Sequence, residues 1–149
     1  MNPEKLKFEN MGLVYADVQL INAEDLGLVR RGFMDKDEVR SMHVNILVDT
    51  GSYMLAINES IQEQLKFPVV ERRKAQTADG RMVECDVVSQ VELRFQNRRT
   101  FCNAMVLLGD SEPLLGAIPL EDMDVLIHPL RQELIVNPDH PYFAVMKMK

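Results

Sequence analysis

The chain has 149 residues, the usual size of one domain, and 46% of them are hydrophobic, so the composition predicts a single hydrophobic core. The formal net charge is −6, from 17 Lys and Arg against 23 Asp and Glu, with no long basic stripe, which argues against nucleic acid as a partner. No apolar run approaches the roughly 18 residues of a membrane span, which excludes membrane insertion.

The N-terminus and the cysteines predict the cellular compartment. The opening sequence MNPEKLKFEN has no apolar stretch of the kind found in secretory signals. The two cysteines, Cys85 and Cys102, do not form a C-x-x-C motif. We therefore expect a cytoplasmic protein with reduced thiols.

The first half of the chain is predicted to contain two antiparallel strands and a short helix. Apolar and polar residues alternate over residues 14–20 and again within residues 38–48. The charged segment 24–37 between these strands is long for a hairpin and is predicted as a loop insertion. A short helix follows the second strand, with Asn58 as its cap and Pro68 just beyond its end.

Three hairpins are predicted in the second half of the chain. Asp79-Gly80 marks a tight turn between residues 73–78 and 81–88. Residues 96–99 turn the chain from a strand at 91–95 to one at 101–108. The last hairpin spans residues 125–136.

The whole pattern predicts one mainly β domain over residues 1–149. Its seven or more short strands and one or two helical turns, including one after Pro119, are typical of a barrel or a sandwich. No repeat or linker divides the chain. The apolar, Met-rich tail 138–149 is predicted as a C-terminal extension.

The most informative stretch of the sequence is Asp49-Thr50-Gly51-Ser52. It ends an apolar strand, and an apolar run with a short helix comes after it. Far downstream, Leu114-Leu115-Gly116 adds an apolar pair and a glycine before a helical turn. In an unrelated fold, Asp49 would be an Asx-turn residue at a strand end, and the two leucines would be core residues.

In pattern and order these features resemble the retropepsin-like aspartic proteases over roughly residues 42–136. The resemblance implies a closed, mainly β barrel with one or two short helices. It also implies a role for each matching residue: Asp49 is catalytic, Thr50, Gly51 and Ser52 support the active-site loop, Ala78, Asp79, Gly80 and Arg81 form the flap, and Leu114, Leu115 and Gly116 pack behind the loop.

The implied chemistry needs two carboxylates. Two such groups about 3 Å apart share one proton, so that one acts as a base on water and the other as an acid toward the substrate carbonyl. The chain has one D-T-G, so the resemblance implies a homodimer that pairs two copies of Asp49. We expect an aspartic endopeptidase with a polypeptide substrate and no cofactor.

Two alternatives remain open at the level of sequence. One is a catalytically inactive retropepsin-fold dimer that binds a peptide or a protein. The other is an unrelated small β-barrel binding domain, which would be a monomer. In the tail, Tyr142, Phe143, Val145 and Met146 are expected either between two subunits or in the core of their own chain.

Neither a metal site nor a cysteine nucleophile is expected. His43, His128 and His140 lie far apart and have no ligand spacing with the cysteines. A cysteine nucleophile would need a His partner that nothing in the sequence places near it. The acids at positions 121, 122 and 124 suit the start of a helix after Pro119 better than a cation site.

Overall fold

Residues 12–148 are the part of the chain that the computed structural model describes, and they form nine β-strands, three α-helices and one 3-10 helix. The strands are β1 (Val14–Asn22), β2 (Ser41–Val48), β3 (Leu55–Asn58), β4 (Val69–Gln76), β5 (Met82–Phe95), β6 (Arg98–Leu107), β7 (Leu114–Leu115), β8 (Val125–His128) and β9 (Glu133–Val136). The helices are α1 (Ala23–Arg30), α2 (Glu59–Leu65) and α3 (Ala117–Met123), with the 3-10 helix at Lys36–Glu38. The predicted mainly β class is confirmed. The expectation about a secretory signal concerns residues 1–10, which lie outside the described residues.

β1 and β2 form the antiparallel pair that the alternating pattern predicts. The pairing runs from Val14 opposite Val48 to Ile21 opposite Ser41. The apolar side chains of β1 at Val14, Ala16, Val18 and Leu20 are all buried. One face of this pair therefore lies in the core, and β2 carries the chain directly to Asp49.

The segment 24–37, predicted as a loop, is helical over much of its length. The side chain of Asn22 caps α1 by accepting a hydrogen bond from the Asp25 backbone amide at 3.1 Å. The prediction of a loop was therefore wrong. The sequence does not reveal α1, because this helix is short, contains Gly27 and has only a weak apolar stripe. Its position is set by tertiary contacts, chiefly an ion pair between Asp25 and Arg40.

β4, β5 and β6 form two consecutive hairpins that share a strand. The sequence predicts two separate strands, at residues 81–88 and 91–95. From Met82 onward they form one 14-residue strand, β5. The register shifts between Val88 and Val91, where Gln90 has a φ of 64°. The second turn is also tighter than predicted, because Arg98 already belongs to β6 and only positions 96 and 97 lie between the strands.

The strands of the main sheet return on themselves. Their order is β1-β2-β7-β3-β6-β5-β4, and β1 also pairs with β5. Two of the pairings, β2 with β7 and β3 with β6, are parallel and join distant parts of the chain. This ring surrounds a core whose fully buried side chains include Leu20, Ile46, Leu55, Ile57, Leu93 and Leu115.

α3, the β8–β9 hairpin and the tail complete the described structure. The hairpin is as predicted, whereas α3 begins at Ala117, so Pro119 occupies its third position rather than its first. Tyr142 and Phe143 are 84% and 71% exposed, and Val145 and Met146 are exposed as well, so packing in the core of their own chain was the wrong expectation. Among residues 12–148, no helix is long and apolar enough to cross a membrane.

Candidate active site

Asp49 is the first residue of the loop 49–54, which joins β2 to β3. The loop forms because a turn follows the strand at once: the Ser52 amide donates to the Asp49 carbonyl oxygen at 3.0 Å. The Asp49 amide donates to the Leu115 carbonyl oxygen at 2.9 Å, which extends the parallel pairing of β2 with β7. The backbone at Asp49 is therefore fixed by the sheet through its amide and by the turn through its carbonyl oxygen.

The Asp49 carboxylate is oriented by donors of its own loop. Oδ1 accepts from the Gly51 amide at 3.0 Å, and Oδ2 accepts from the Ser52 hydroxyl at 2.9 Å. The side chain is partly exposed, and none of the described Lys, Arg or His side chains pairs with it. A carboxylate held in this way presents itself to solvent in a fixed orientation and is not neutralised by a cation.

Gly116 packs directly behind the loop. A Cβ atom at this position would lie 2.4 Å from the Met54 carbonyl oxygen and 2.8 Å from the Ser52 carbonyl oxygen. The amides of Ala117 and Ile118 donate to the carbonyl oxygens of Ser52 and Tyr53, at 2.8 and 3.1 Å. The structure thus brings Leu115 and Gly116 against the loop, and only glycine fits this close approach.

Thr50 faces outward next to an apolar cavity. It is exposed, and within residues 12–148 its hydroxyl has no hydrogen-bond partner. The cavity has a volume of about 410 Å³ and is lined mainly by apolar side chains, namely those of Ala117, Leu120, Val125, Leu126, Ile127 and Leu134. The motif residues therefore divide: Gly51 and Ser52 hold Asp49, while Thr50 faces a surface cavity.

The hairpin turn between β4 and β5 is built by local hydrogen bonds. Gly80 has a φ of +87°, which favours glycine, and its amide donates to the Thr77 carbonyl oxygen at 2.9 Å. The Asp79 carboxylate accepts from the Thr77 hydroxyl and from the Arg81 guanidinium, and the Thr77 bond is the main reason that the pKa of Asp79 is lowered. Ala78, Asp79, Gly80 and Arg81 are all exposed, and no hydrogen bond among the described residues joins them to the Asp49 loop.

Two residues near the loop were missed in the sequence. Met54 touches Gly116 through its backbone, and its sulfur lies 3.9 Å from Nη1 of Arg73 on β4. Arg73 thereby links the strand below the hairpin turn to the loop that carries Asp49. Neither residue is part of a sequence motif. Met54 acts through its backbone, and Arg73 reaches the loop because β4 lies near it.

The structure gives no support to a metal site or a thiol nucleophile. Within the described residues, no three His, Cys, Asp or Glu side chains lie together in a way that could hold a metal ion. Burial raises the pKa of the Cys102 thiol to about 12 and also raises that of Cys85. Both thiols are therefore protonated near neutral pH and are poor nucleophiles.

Within the described residues, a ring of β-strands presents at the end of β2 an aspartate that its own loop orients and that pairs with no cation. The chain belongs to the aspartyl protease family: the family model described as "Aspartyl protease" matches residues 38–132, which is more than half of the chain. The resemblance to retropepsin-like proteases is thus confirmed at the level of family, and the members of such a family are peptidases, a class of hydrolases. No curated protein matches the chain.

Proposed function

We propose that this protein is an aspartic endopeptidase whose active site forms when two copies of the chain pair their Asp49 residues. The observation that carries the proposal is the Asp49 loop, in which Gly51 and Ser52 orient a solvent-facing carboxylate. Preorganised groups of this kind lower a reaction barrier because they need not be reordered in the transition state. The family match supports the same chemistry.

A second copy is needed because the loop supplies one carboxylate. Two aspartates in contact cannot both ionise, and the shared proton gives one of them each role. The ionised Asp49 takes a proton from a water molecule, whose oxygen attacks the peptide carbonyl carbon. The protonated Asp49 gives its proton to the carbonyl oxygen. The tetrahedral intermediate breaks its C–N bond as the Asp49 that took the water proton passes it to the nitrogen, while the other Asp49 takes a proton back from a hydroxyl of the intermediate. An amine and a carboxylic acid are released, and the pair again holds one proton.

The surface beside Asp49 supports the pairing. Within residues 12–148 the Thr50 hydroxyl has no hydrogen-bond partner, and it lies next to the apolar cavity of about 410 Å³. A second copy would cover both features. Tyr142 and Phe143 of the tail are exposed aromatic side chains of the kind that protein interfaces bury. The two-fold symmetry of such a dimer brings the same loop from each subunit to the axis.

The β4–β5 hairpin is the proposed flap. β4 is the edge strand of the main sheet, so its free backbone groups suit the addition of an extended peptide as a further strand. Arg73 places the base of this hairpin next to the Asp49 loop. We propose that residues 78–81 close over the bound peptide and exclude water from the reacting bond.

The remaining parts of the proposal concern the architecture and the location. We propose that the ring of strands is a closed retropepsin-like barrel and that residues 1–149 form one domain, with the tail 138–149 as an extension. We also propose that the protein works in the cytoplasm. Its two cysteines, Cys85 and Cys102, are free thiols, as the reducing conditions there would keep them.

Cleavage of a diverse peptide mixture, read by mass spectrometry, tests the proposal. The wild-type protein is compared with Asp49→Asn at several pH values between about 3 and 7, which covers the range where paired carboxylates share a proton. Asp17→Asn on the exposed face of β1 is the matched control. We expect cleavage by the wild type and by the control, and none by Asp49→Asn.

The other outcomes have distinct meanings. If a folded wild-type dimer cleaves nothing, the protein is instead a peptide- or protein-binding member of the family that has lost catalysis. If Asp49→Asn cleaves as well as the wild type, the activity comes from another group or another protein, and the proposed mechanism is wrong.

A further inference from the structure

A second groove lies on the outer face of the sheet, far from Asp49. It has a volume of about 820 Å³ and runs between α1 and the strands β1, β5 and β6. Its apolar lining includes Ile21 of β1 and Leu26 and Val29 of α1. Ser41 lines the groove at the start of β2, whereas Asp49 follows the end of that strand, which puts them roughly 26 Å apart along the strand direction.

The groove concentrates positive charge. Its lining includes four cationic side chains, those of Arg30, Lys36, Arg94 and Arg99. Glu92 is the one carboxylate among the described residues that line it; its side chain is only 3% exposed and already accepts from Arg94 Nε at 2.5 Å. Three cations therefore remain without a lining acid, in a protein whose net charge is −6.

The two arginines on the strands are placed in an unfavourable way. Arg94 lies directly opposite Arg99 in the β5–β6 register, and like charges in this position destabilise a sheet. The guanidinium of Arg99 lies over the ring of Phe101, 5.5 Å from its centre, and Phe101 is 61% exposed. Glu92 already pairs with Arg94, so the positive charge that an anion bound at this point would offset is that of Arg99.

We propose that this groove binds an acidic, extended segment of another polypeptide, with its carboxylates on Arg30, Lys36 and Arg99 and an apolar side chain against Leu26 and Val29. The cations belong to α1, the 3-10 helix, β5 and β6, so they are distributed along the groove rather than gathered around one small anion. The apolar floor suits side chains better than a phosphate backbone, which is bound by cations and polar groups. This binding site does not depend on the proposed peptidase activity.

Fluorescence anisotropy of a labelled peptide tests the proposal. The probe is a short fluorescein-labelled peptide that alternates Asp or Glu with Leu, and the protein is the full chain with Asp49→Asn, so that the probe stays intact. We expect saturable binding that weakens as salt is added, because exposed charges are screened over about 10 Å at 0.1 M salt. Arg30→Gln combined with Arg99→Gln should weaken binding roughly tenfold, since two charge contacts are lost.

A matched control and two further probes decide the result. Lys66→Gln combined with Arg131→Gln removes two cations that do not line the groove and should leave the affinity unchanged. A peptide with Ser in place of Leu should bind several-fold more weakly. The proposal is overturned if no saturable binding is seen, if the groove and control variants behave alike, or if a single-stranded DNA of the same charge binds as tightly as the peptide. None of these results bears on the role of Asp49, which peptide cleavage measures separately.

Discussion

The neighbours of Asp49 fix the orientation of its carboxylate, and no cation among the described residues pairs with it. Both of its carboxylate oxygens accept hydrogen bonds from its own loop, one from the Gly51 amide and one from the Ser52 hydroxyl. The amide of Asp49 is held in turn by the carbonyl oxygen of Leu115. A catalytic group needs this kind of support, because small displacements from the productive geometry cost much of the rate.

Gly116→Ala should disturb this support through the single methyl group that it adds. The added Cβ would lie 2.4 Å from the Met54 carbonyl oxygen, which is part of the backbone and cannot rotate away. We expect the free energy of unfolding to fall by about 2–3 kcal/mol, as for overpacked sites, and peptide cleavage to be lost or strongly reduced. Urea denaturation measures the first effect and the peptide assay the second.

Gly12→Ala is the matched control, since a Cβ there meets nothing within 4 Å among the residues that the structure describes. It should change neither stability nor cleavage. If Gly116→Ala is as stable and active as the wild type, the loop does not need this close approach, and the proposed role of Gly116 is wrong.

At the residue scale, the sequence predicts those members of the candidate site whose contacts are close in sequence. Asp49, Gly51 and Ser52 could be singled out because their hydrogen bonds are made within three residues of each other. Met54 and Arg73 could not, since one acts through its backbone and the other through the packing of β4 near the loop. No side-chain pattern records either kind of contact.

At the scale of elements, one ion pair joins α1 to Arg40, the residue just before β2. The Asp25 side chain is 1% exposed and accepts from Arg40 Nε and Nη2 at 2.9 and 2.8 Å. The hydrogen bond from Arg40 is the main reason that the pKa of Asp25 is lowered. Because α1 also forms one wall of the second groove, this pair fixes the shape of that groove.

Arg40→Ala should leave the Asp25 carboxylate buried without its main partner. We expect the free energy of unfolding to fall by about 2–4 kcal/mol, because an unpaired buried charge is costly. Since the folded-state pKa of Asp25 is lowered, the pair stabilises the protein above the unfolded value of about 4 and loses this effect at lower pH. The difference in free energy of unfolding between the wild type and Arg40→Ala should therefore decrease when urea denaturation is repeated at decreasing pH.

Arg40→Lys serves as the control, since it restores a cation and should recover part of the lost stability. If the stability difference between the wild type and Arg40→Ala stays constant down to low pH, the ionised Asp25 is not the cause of that difference.

One carboxylate, that of Asp124, makes several of the bonds that hold the C-terminal tail. Asp124 accepts from the Asn137 amide group at 3.0 Å and from the Val145 backbone amide at 3.0 Å, and it pairs with His140 at 2.6 Å. These bonds, that of Asn137 first, lower the pKa of Asp124 to about 2. Val145 thus depends on the ionised form of Asp124, whereas Asn97 and Arg98 hold the tail at the carbonyl oxygens of Pro141 and His140.

The docking of the tail should depend on pH in the acid range. A lowered folded-state pKa stabilises the docked tail above the free value of about 4, and this stabilisation is lost as the pH falls toward the folded value. We expect the protection of the Val145 amide against hydrogen exchange to be constant from neutral pH to about 4 and to decrease below it. Asp124→Asn should reduce that protection at every pH, whereas Asp139→Asn, outside this network, should not. Protection that persists in Asp124→Asn would contradict this account.

The elements could be predicted from the sequence only where their pattern is regular. The alternation of β1 and β2 and the turn at Asp79-Gly80 predicted real strands and a real hairpin. β3 was missed because its four residues are all buried and show no alternation. The break in β5 was misread because the register shift near Gln90 interrupts the pattern without ending the strand.

The whole molecule depends on pairings that join distant segments. β7 lies between β2 and β3, so two residues from late in the chain support the loop that begins at Asp49. No local pattern predicts this parallel pairing, and the order of motifs in the sequence indicated it only through the resemblance to retropepsins. The order also says nothing about the second groove, which exists because α1 packs on the outside of the ring.

The central claim is that one active site needs Asp49 from two chains, and a subunit-mixing experiment tests it most directly. Wild-type protein is denatured with an equal amount of Asp49→Asn, refolded with it, and assayed for peptide cleavage per wild-type chain. Random pairing puts about half of the wild-type chains into mixed dimers, which have only one catalytic carboxylate. The account predicts that cleavage per wild-type chain falls to about half of that of wild-type protein refolded alone. It also predicts about a quarter of the cleavage of an equal mixture with Asp17→Asn, whose chains are themselves active. Activity that is unchanged by Asp49→Asn would show that a single chain is sufficient and would contradict the account.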